Sequence, residues 1–261
     1  MANAFDMNGT IEFYSNNIDR IRLPCRKAEK NSVKVKGELR DIEVDRLNAL
    51  RALYPSNSLE RSVFEYVVAK PETWFLPDAE SRIRGGKNPV TTASGEAMSQ
   101  TSIVPSYFNP VSWENGEIWL FDIPKEAVRD SRVREIILSE GFIHELAHSI
   151  NFISRYKGDG QKLRFPNGKI LTGKEAFESF GEIALKHEPM SHYSSGYFPG
   201  RILFDSASPD RTIDEELCET IAAYLLGFSY TPSESRRFSP FADRPEILAF
   251  VKDYLNAKLI F

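Results

Sequence analysis

Residues 131–155 constrain this chain more than any other stretch. Val133, Ile136, Ile137, Phe142, Ile143, Leu146, Ala147, Ile150 and Phe152 recur at helical spacing and reach almost every side of the helix they predict. A helix apolar all round is a buried one, so the rest of the chain must wrap around it. Its centre, SEGFIHELAHSINF, nevertheless carries His144, Glu145 and His148, two of the four histidines in the chain. Buried polar groups need partners, and these three residues ask for one in common.

Residues four apart on a helix differ by about 40° around its axis, so His144 and His148 point the same way one turn apart. Two imidazoles so placed both reach one ion at about 2.0–2.1 Å, the distance zinc prefers. Glu145 lies about 100° round from His144, out of ligand position but within reach of a water on the ion. Gly141, one turn before His144, leaves that face uncrowded. In this H-E-x-x-H arrangement the metal lowers the pKa of its water toward about 7, and Glu145 serves as the catalytic general base. The alternative is two core histidines bonded to backbone carbonyls. The expected cofactor is one Zn²⁺ per chain.

A third protein ligand is required. The metzincin continuation needs Gly and His three and six residues beyond the second histidine, where this chain has Asn151 and Ser154. The best source is the helix TIDEELCETIAAYLLGF, whose apolar stripe is Leu217, Ile221, Tyr224, Leu225 and Phe228. Glu215 falls at the edge of the stripe beside the small residues Cys218 and Ala222, which allow close approach to the motif helix. Glu216 lies farther round. Glu215 is the chosen metal ligand. Glu219, one turn on, is the expected acceptor for the outer N–H of a ligand histidine and the substitute ligand. Against this, Thr212 and Glu215 also read as a capping box, with Glu215 only holding the helix start.

At 261 residues the chain suits a single catalytic domain in two lobes. Residues 1–155 form a strand-and-helix lobe ending in the motif helix, and residues 156–261 a mainly helical lobe carrying the third ligand. In the first lobe, residues 10–37 read as short strands around the turn SNN, residues 39–53 as a helix closed by Pro55, and residues 59–69 as a second helix. Residues 84–102 are poor in apolar side chains and read as a long loop, a surface excursion or a lid. Asn115-Gly116 and Asn167-Gly168 signal hairpins, and residues 118–123 a candidate edge strand. Thr172 and Glu175 form a capping box ahead of a helix to about Leu185, and the chain closes with helices near 213–228 and 245–257.

A net charge of −4 argues against nucleic acid or an anionic membrane as a general partner, and no run of eighteen apolar residues predicts a membrane span. Cys25 and Cys218, the only cysteines, offer neither a disulfide framework nor a metal knuckle. The start, MANAFDMNGTIEFY, has no Sec-type leader pattern. A cytoplasmic location, or export without a Sec signal, is expected.

H-E-x-x-H followed some seventy residues later by E-x-x-x-E on a helix resembles the gluzincin metallopeptidases. Within them, DEELCETIAAYLLGF and RPEILAFVKDYL are similar to the anthrax-lethal-factor-like peptidases, over about residues 116–256. The resemblance implies an α+β, zincin-like fold: a small mixed sheet with an edge strand, a buried active-site helix and a mainly helical second lobe. It implies a zinc metalloendopeptidase whose protein or peptide substrate lies extended along the edge strand, with GEIWLFDI as that strand. Several members of the group are bacterial toxins or effectors. The group's oxyanion-stabilising Tyr falls here at Ser208, leaving Tyr197, Tyr193 or His192 as possible substitutes. Other functions open to the sequence are another zinc amide hydrolase, a non-catalytic metal-binding interaction module, and a protease that cuts a repressor.

Overall fold

The computed structural model describes residues 7–24, 33–71, 74–76, 102–104, 106–112, 114–156, 161–188, 190, 209–229 and 237–260. The loop expected over 84–102 lies outside them except for its last residue, as do His192, Tyr193, Tyr197 and Ser208.

The motif helix forms as its periodicity predicts, as α4 over Ser131–Tyr156. Asp130 caps its start, its side-chain oxygen accepting the Arg132 N–H at 2.8 Å. Phe142, Ile143, Leu146, Ala147 and Ile150 are fully buried, so the helix is covered on all sides along its middle. One cover is a mixed sheet of β1 (Lys34–Lys36), β2 (Phe64–Lys70), β6 (Gly116–Phe121) and β5 (Ser106–Pro110), in that order. The first three run parallel, and β5 is antiparallel to β6. Val67, Ile118 and Phe108 align across β2, β6 and β5 and are buried, forming a row on the helix-facing side. The Phe108 ring meets Phe152 of α4 edge-on at 5.7 Å.

Three expectations for residues 1–155 are corrected. First, GEIWLFDI is not an edge: β6 lies between β2 and β5, and the outer strands among the described residues are β1 and β5. Alternation in β6 is compatible with either position, because its non-core face carries Glu117 and Trp119. Second, the stretch 10–37 opens in helix α1 (Met7–Asn17), which takes in the expected turn SNN, and among its described residues only β1 is strand. Ile11, Tyr14 and Ile18 are spaced by three and four, and the Asn17 carbonyl takes the Arg20 and Ile21 N–H groups to end the helix. Third, most of 59–69 is strand. Only the short α3 (Ser56–Leu59) is helical there, and the β-branched run Val67-Val68 pairs with both neighbouring strands. The helix expected over 39–53 is confined to α2 (Val44–Arg51). The Asn115-Gly116 hairpin joins β5 to β6, but through a wider loop in which the Val111 and Ser112 N–H groups both donate to the Asn115 carbonyl. A separate pair, β3 (Trp74–Leu76) and β4 (Ser102–Val104), is antiparallel.

Beyond α4 the hairpin β7 (Lys162–Arg164) and β8 (Ile170–Thr172) turns at Gly168, whose φ of 86° favours glycine. The capping box forms as expected: the Thr172 hydroxyl accepts from Glu175 N, and the Glu175 carboxylate accepts from Thr172 N, opening α5 (Gly173–Ala184). Helix α6 (Pro209–Leu226) lies along α4, and α7 (Pro245–Asn256) packs on α5 and α6. The chain does not end on a helix. β9 (Lys258–Ile260) returns to pair with β7, giving a second sheet in the order β8-β7-β9. The architecture is α+β with a small mixed sheet. No helix among the described residues is long and apolar enough to cross a membrane.

Candidate metal centre

Helix α6 presents an uncommon run. Asp214, Glu215, Glu216 and Glu219 are all buried, at 3–7% exposure, beside the apolar Leu217 and Ile221. Buried carboxylates are costly unless paired, so each must be accounted for. Glu216 accepts the Met190 N–H with both oxygens, at 2.9 and 2.8 Å, and has the buried Arg244 guanidinium 3.9 Å away. It is an anchor for the chain before residue 191. Helix α6 begins at Pro209, so Thr212 lies inside it and not at its N-cap.

Glu215 turns instead to α4. Its Oε2 is 3.2 Å from His144 Nε2 and 3.4 Å from His148 Nε2, and the two Nε2 atoms are 3.0 Å apart. Ligands 2.0–2.1 Å from a tetrahedral ion are separated by about 3.4 Å. The three atoms therefore form a triangle whose sides match one face of a zinc coordination tetrahedron. The rings are held at 73° to one another, one turn apart on the helix, as the i, i+4 spacing requires.

The electrostatics point to a cation at the same place. Burial lowers the pKa of His144, but its hydrogen bond to Glu215 and the charges of Glu145 and Glu215 outweigh this and raise it. His148 is likewise opposed by burial, and the Asp214 and Glu215 carboxylates beside it raise it well above its ordinary value. Burial acts to raise the Glu215 carboxyl, yet the two imidazoles hold it well below the usual carboxylate range. Two imidazoles facing one carboxylate recruit protons when no metal neutralises them, so the donor set fits a divalent ion.

Glu145 is placed by β5. One carboxylate oxygen accepts the Phe108 backbone N–H at 2.8 Å, and the other accepts the Ser106 hydroxyl at 3.0 Å. One of its oxygens lies within 4.8 Å of a nitrogen of each histidine. That is close enough for the carboxylate to reach a water on an ion held by the two rings. Gly116 permits this arrangement, because a Cβ there would meet the Phe108 ring at 2.4 Å.

The outer nitrogen of His148 is not served by Glu219. Its Nδ1 stands 2.9 Å from Asp214 Oδ2. Sequence reasoning passes over Asp214, although the spacing from Asp214 to Cys218 sets both on one flank of α6 and both border His148. Burial pushes the Cys218 thiol far up, which keeps it a protonated neighbour of the ring in the metal-free chain. Also unanticipated are Ser106, the Phe108 N–H, and Tyr54, whose hydroxyl donates to the Ile143 carbonyl at 2.6 Å just before His144. Glu219 is buried one turn beyond Glu215. The three residues offered as oxyanion stabilisers, Tyr197, Tyr193 and His192, lie outside the described residues. The chain matches no protein-family model, no curated protein and no solved structure.

Proposed function

We propose that the chain is a zinc-dependent metalloendopeptidase of zincin-like fold, as the gluzincin peptidases that its motifs resemble. The observation that carries this reading is the triangle of His144 Nε2, His148 Nε2 and Glu215 Oε2, with sides of 3.0, 3.2 and 3.4 Å, and the Glu145 carboxylate beside it. His144, His148 and Glu215 would hold the ion. A bound zinc supplies Lewis acidity and brings the pKa of water toward about 7.

Glu145 takes the proton of the attacking water as the water oxygen bonds to the amide carbon. It then delivers that proton to the nitrogen as the carbon–nitrogen bond breaks. The Phe108 N–H and the Ser106 hydroxyl aim its carboxylate. An extended polypeptide laid against the outer edge of β5 would bring its backbone to the strand that holds this base, which favours a protein or peptide substrate.

Metal analysis and peptide cleavage test the reading together. One zinc per wild-type chain, its loss in His148→Ala, and loss of cleavage with zinc retained in Glu145→Gln are expected. Zinc retained by His148→Ala, or cleavage unchanged in Glu145→Gln, overturns it. A zinc-loaded wild type that cleaves no peptide would leave a metal-binding module in its place.

A further inference from the structure

Behind the His148–Asp214 contact, buried polar groups continue into the C-terminal part of the fold. Asp214 gives Oδ2 to His148, and its other oxygen accepts the Asn151 side-chain amide at 3.2 Å. The same Asn151 nitrogen reaches Cys218 Sγ at 3.4 Å. The Asn151 oxygen accepts the Tyr254 hydroxyl at 2.7 Å. Tyr254, on α7, is fixed in turn by Arg61: the guanidinium lies 4.6 Å from the centre of its ring and donates to its backbone carbonyl at 2.7 Å. All four side chains from Asp214 to Arg61 are buried.

We propose that Tyr254 and Asn151 are positioning residues for the metal ligand His148. An amide has a donor end and an acceptor end, and only one orientation of Asn151 works here. Turned the other way, its oxygen would face the Asp214 carboxylate, acceptor against acceptor between two buried side chains. The Tyr254 hydroxyl donates to the oxygen end and so selects the productive orientation. Asn151 then holds Asp214 with one oxygen engaged and the other aimed at His148 Nδ1. That interaction sets which ring nitrogen carries the proton and leaves Nε2 free for the ion. The element that orients the ligand is thus α7, which contributes no ligand of its own. The inference rests on the zinc-site reading above.

The test uses the full chain as wild type, Tyr254→Phe, Asn151→Asp and Ser58→Ala. Ser58 donates to the Leu255 carbonyl at the same end of α7 and meets the relay only at its far end, where its hydroxyl lies 3.4 Å from Arg61, so its variant reports damage to the helix end with Tyr254, Asn151 and Asp214 untouched. Zinc affinity is read by competition with a chromophoric chelator. Ligand geometry is read from the visible absorption of the cobalt-substituted protein, and metal-free stability from thermal melts. Tyr254→Phe, which keeps the ring, is expected to weaken zinc binding about 10- to 100-fold and to shift the cobalt bands. Ser58→Ala is expected to lower the melting temperature with affinity and bands unchanged. Asn151→Asp, which sets a second carboxylate against Asp214, is expected to weaken zinc at least as much as Tyr254→Phe. Wild-type affinity and bands in Tyr254→Phe overturn the positioning role while leaving the zinc site standing. Equal losses of affinity in Tyr254→Phe and Ser58→Ala also overturn it, by assigning the effect to the helix end. A wild type that takes up no zinc overturns the site and the relay together.

Discussion

Glu145 accepts the backbone N–H of Phe108 at 2.8 Å, so the candidate base is tied directly to an outer strand of the sheet. Ser106 adds the second hydrogen bond, at 3.0 Å, from the same strand. Replacing Ser106 with Ala removes one bond to a charged group and leaves the backbone bond in place. A loss of about 1.5 kcal/mol in orientation, roughly tenfold in kcat, is expected. Zinc affinity is expected to stay at the wild-type value, because Ser106 touches no ligand. Steady-state kinetics beside a chelator competition check this, and a fall in zinc affinity instead would place Ser106 in the metal shell.

Glu145→Gln removes the group that accepts a proton while keeping its shape. A rate loss of about 10²- to 10⁴-fold is expected, with one zinc retained per chain. Activity within a few-fold of wild type would mean that another group takes the proton.

Asp214 and Glu219 make opposite predictions. Asp214→Ala strips the acceptor from His148 Nδ1 and is expected to weaken zinc binding about 10- to 100-fold. Glu219→Gln is expected to change it by less than about threefold, because the outer nitrogen of His148 is already taken. Zinc titration of both variants decides between them, and the reverse ranking would restore the role that helix-wheel reasoning gives to Glu219.

The contact between Asp214 and His148 shows where sequence reading stops. His144, Glu145 and His148 are legible because the helix repeat alone sets their relative directions, and the buried α4 follows from its apolar faces. Glu215 is legible from the small neighbours that let α6 approach α4. Asp214 is not, because the choice between adjacent carboxylates depends on the crossing of two helices, a tertiary quantity. The Phe108 N–H is a backbone group that no residue type announces. Which strands lie outermost depends on sheet order, and β6 and β5 both alternate in ways compatible with either place. Residues 7–17 and 59–69 mislead for another reason. Their aromatic and β-branched residues support both periods, and packing against α4 or pairing within the sheet makes the choice.

Gly116 links the fold to the site. Its missing Cβ leaves room for the Phe108 ring, whose backbone holds Glu145. Gly116→Ala is expected to destabilise the chain by about 1–3 kcal/mol through overpacking. It is also expected to lower kcat at temperatures where the variant is still fully folded, since Phe108 must shift. Denaturant unfolding and kinetics on one preparation check both. A stability loss without a loss of kcat would show that the N–H of Phe108 keeps its place when its ring moves.

The raised histidines and the depressed Glu215 set the pH dependence of metal binding. In the metal-free chain His144 and His148 have folded pKa values above the ordinary value of about 6.5, so the stability they contribute is present below that pH and lost as pH rises through the raised values. Glu215 is depressed, so its contribution is present above the ordinary carboxylate value and lost only as pH falls through the lowered one. Zinc requires both imidazoles neutral and displaces those protons. The zinc-free form therefore weakens as pH rises above about 6.5 while zinc binding strengthens. The gap in melting temperature between zinc-loaded and chelator-treated protein is expected to widen steadily with that rise, and calorimetric titration at pH 7 is expected to show net proton release that varies with buffer ionisation heat. A gap that stays constant with pH, or zinc uptake without proton release, would mean that the imidazoles carry no protons for the ion to displace.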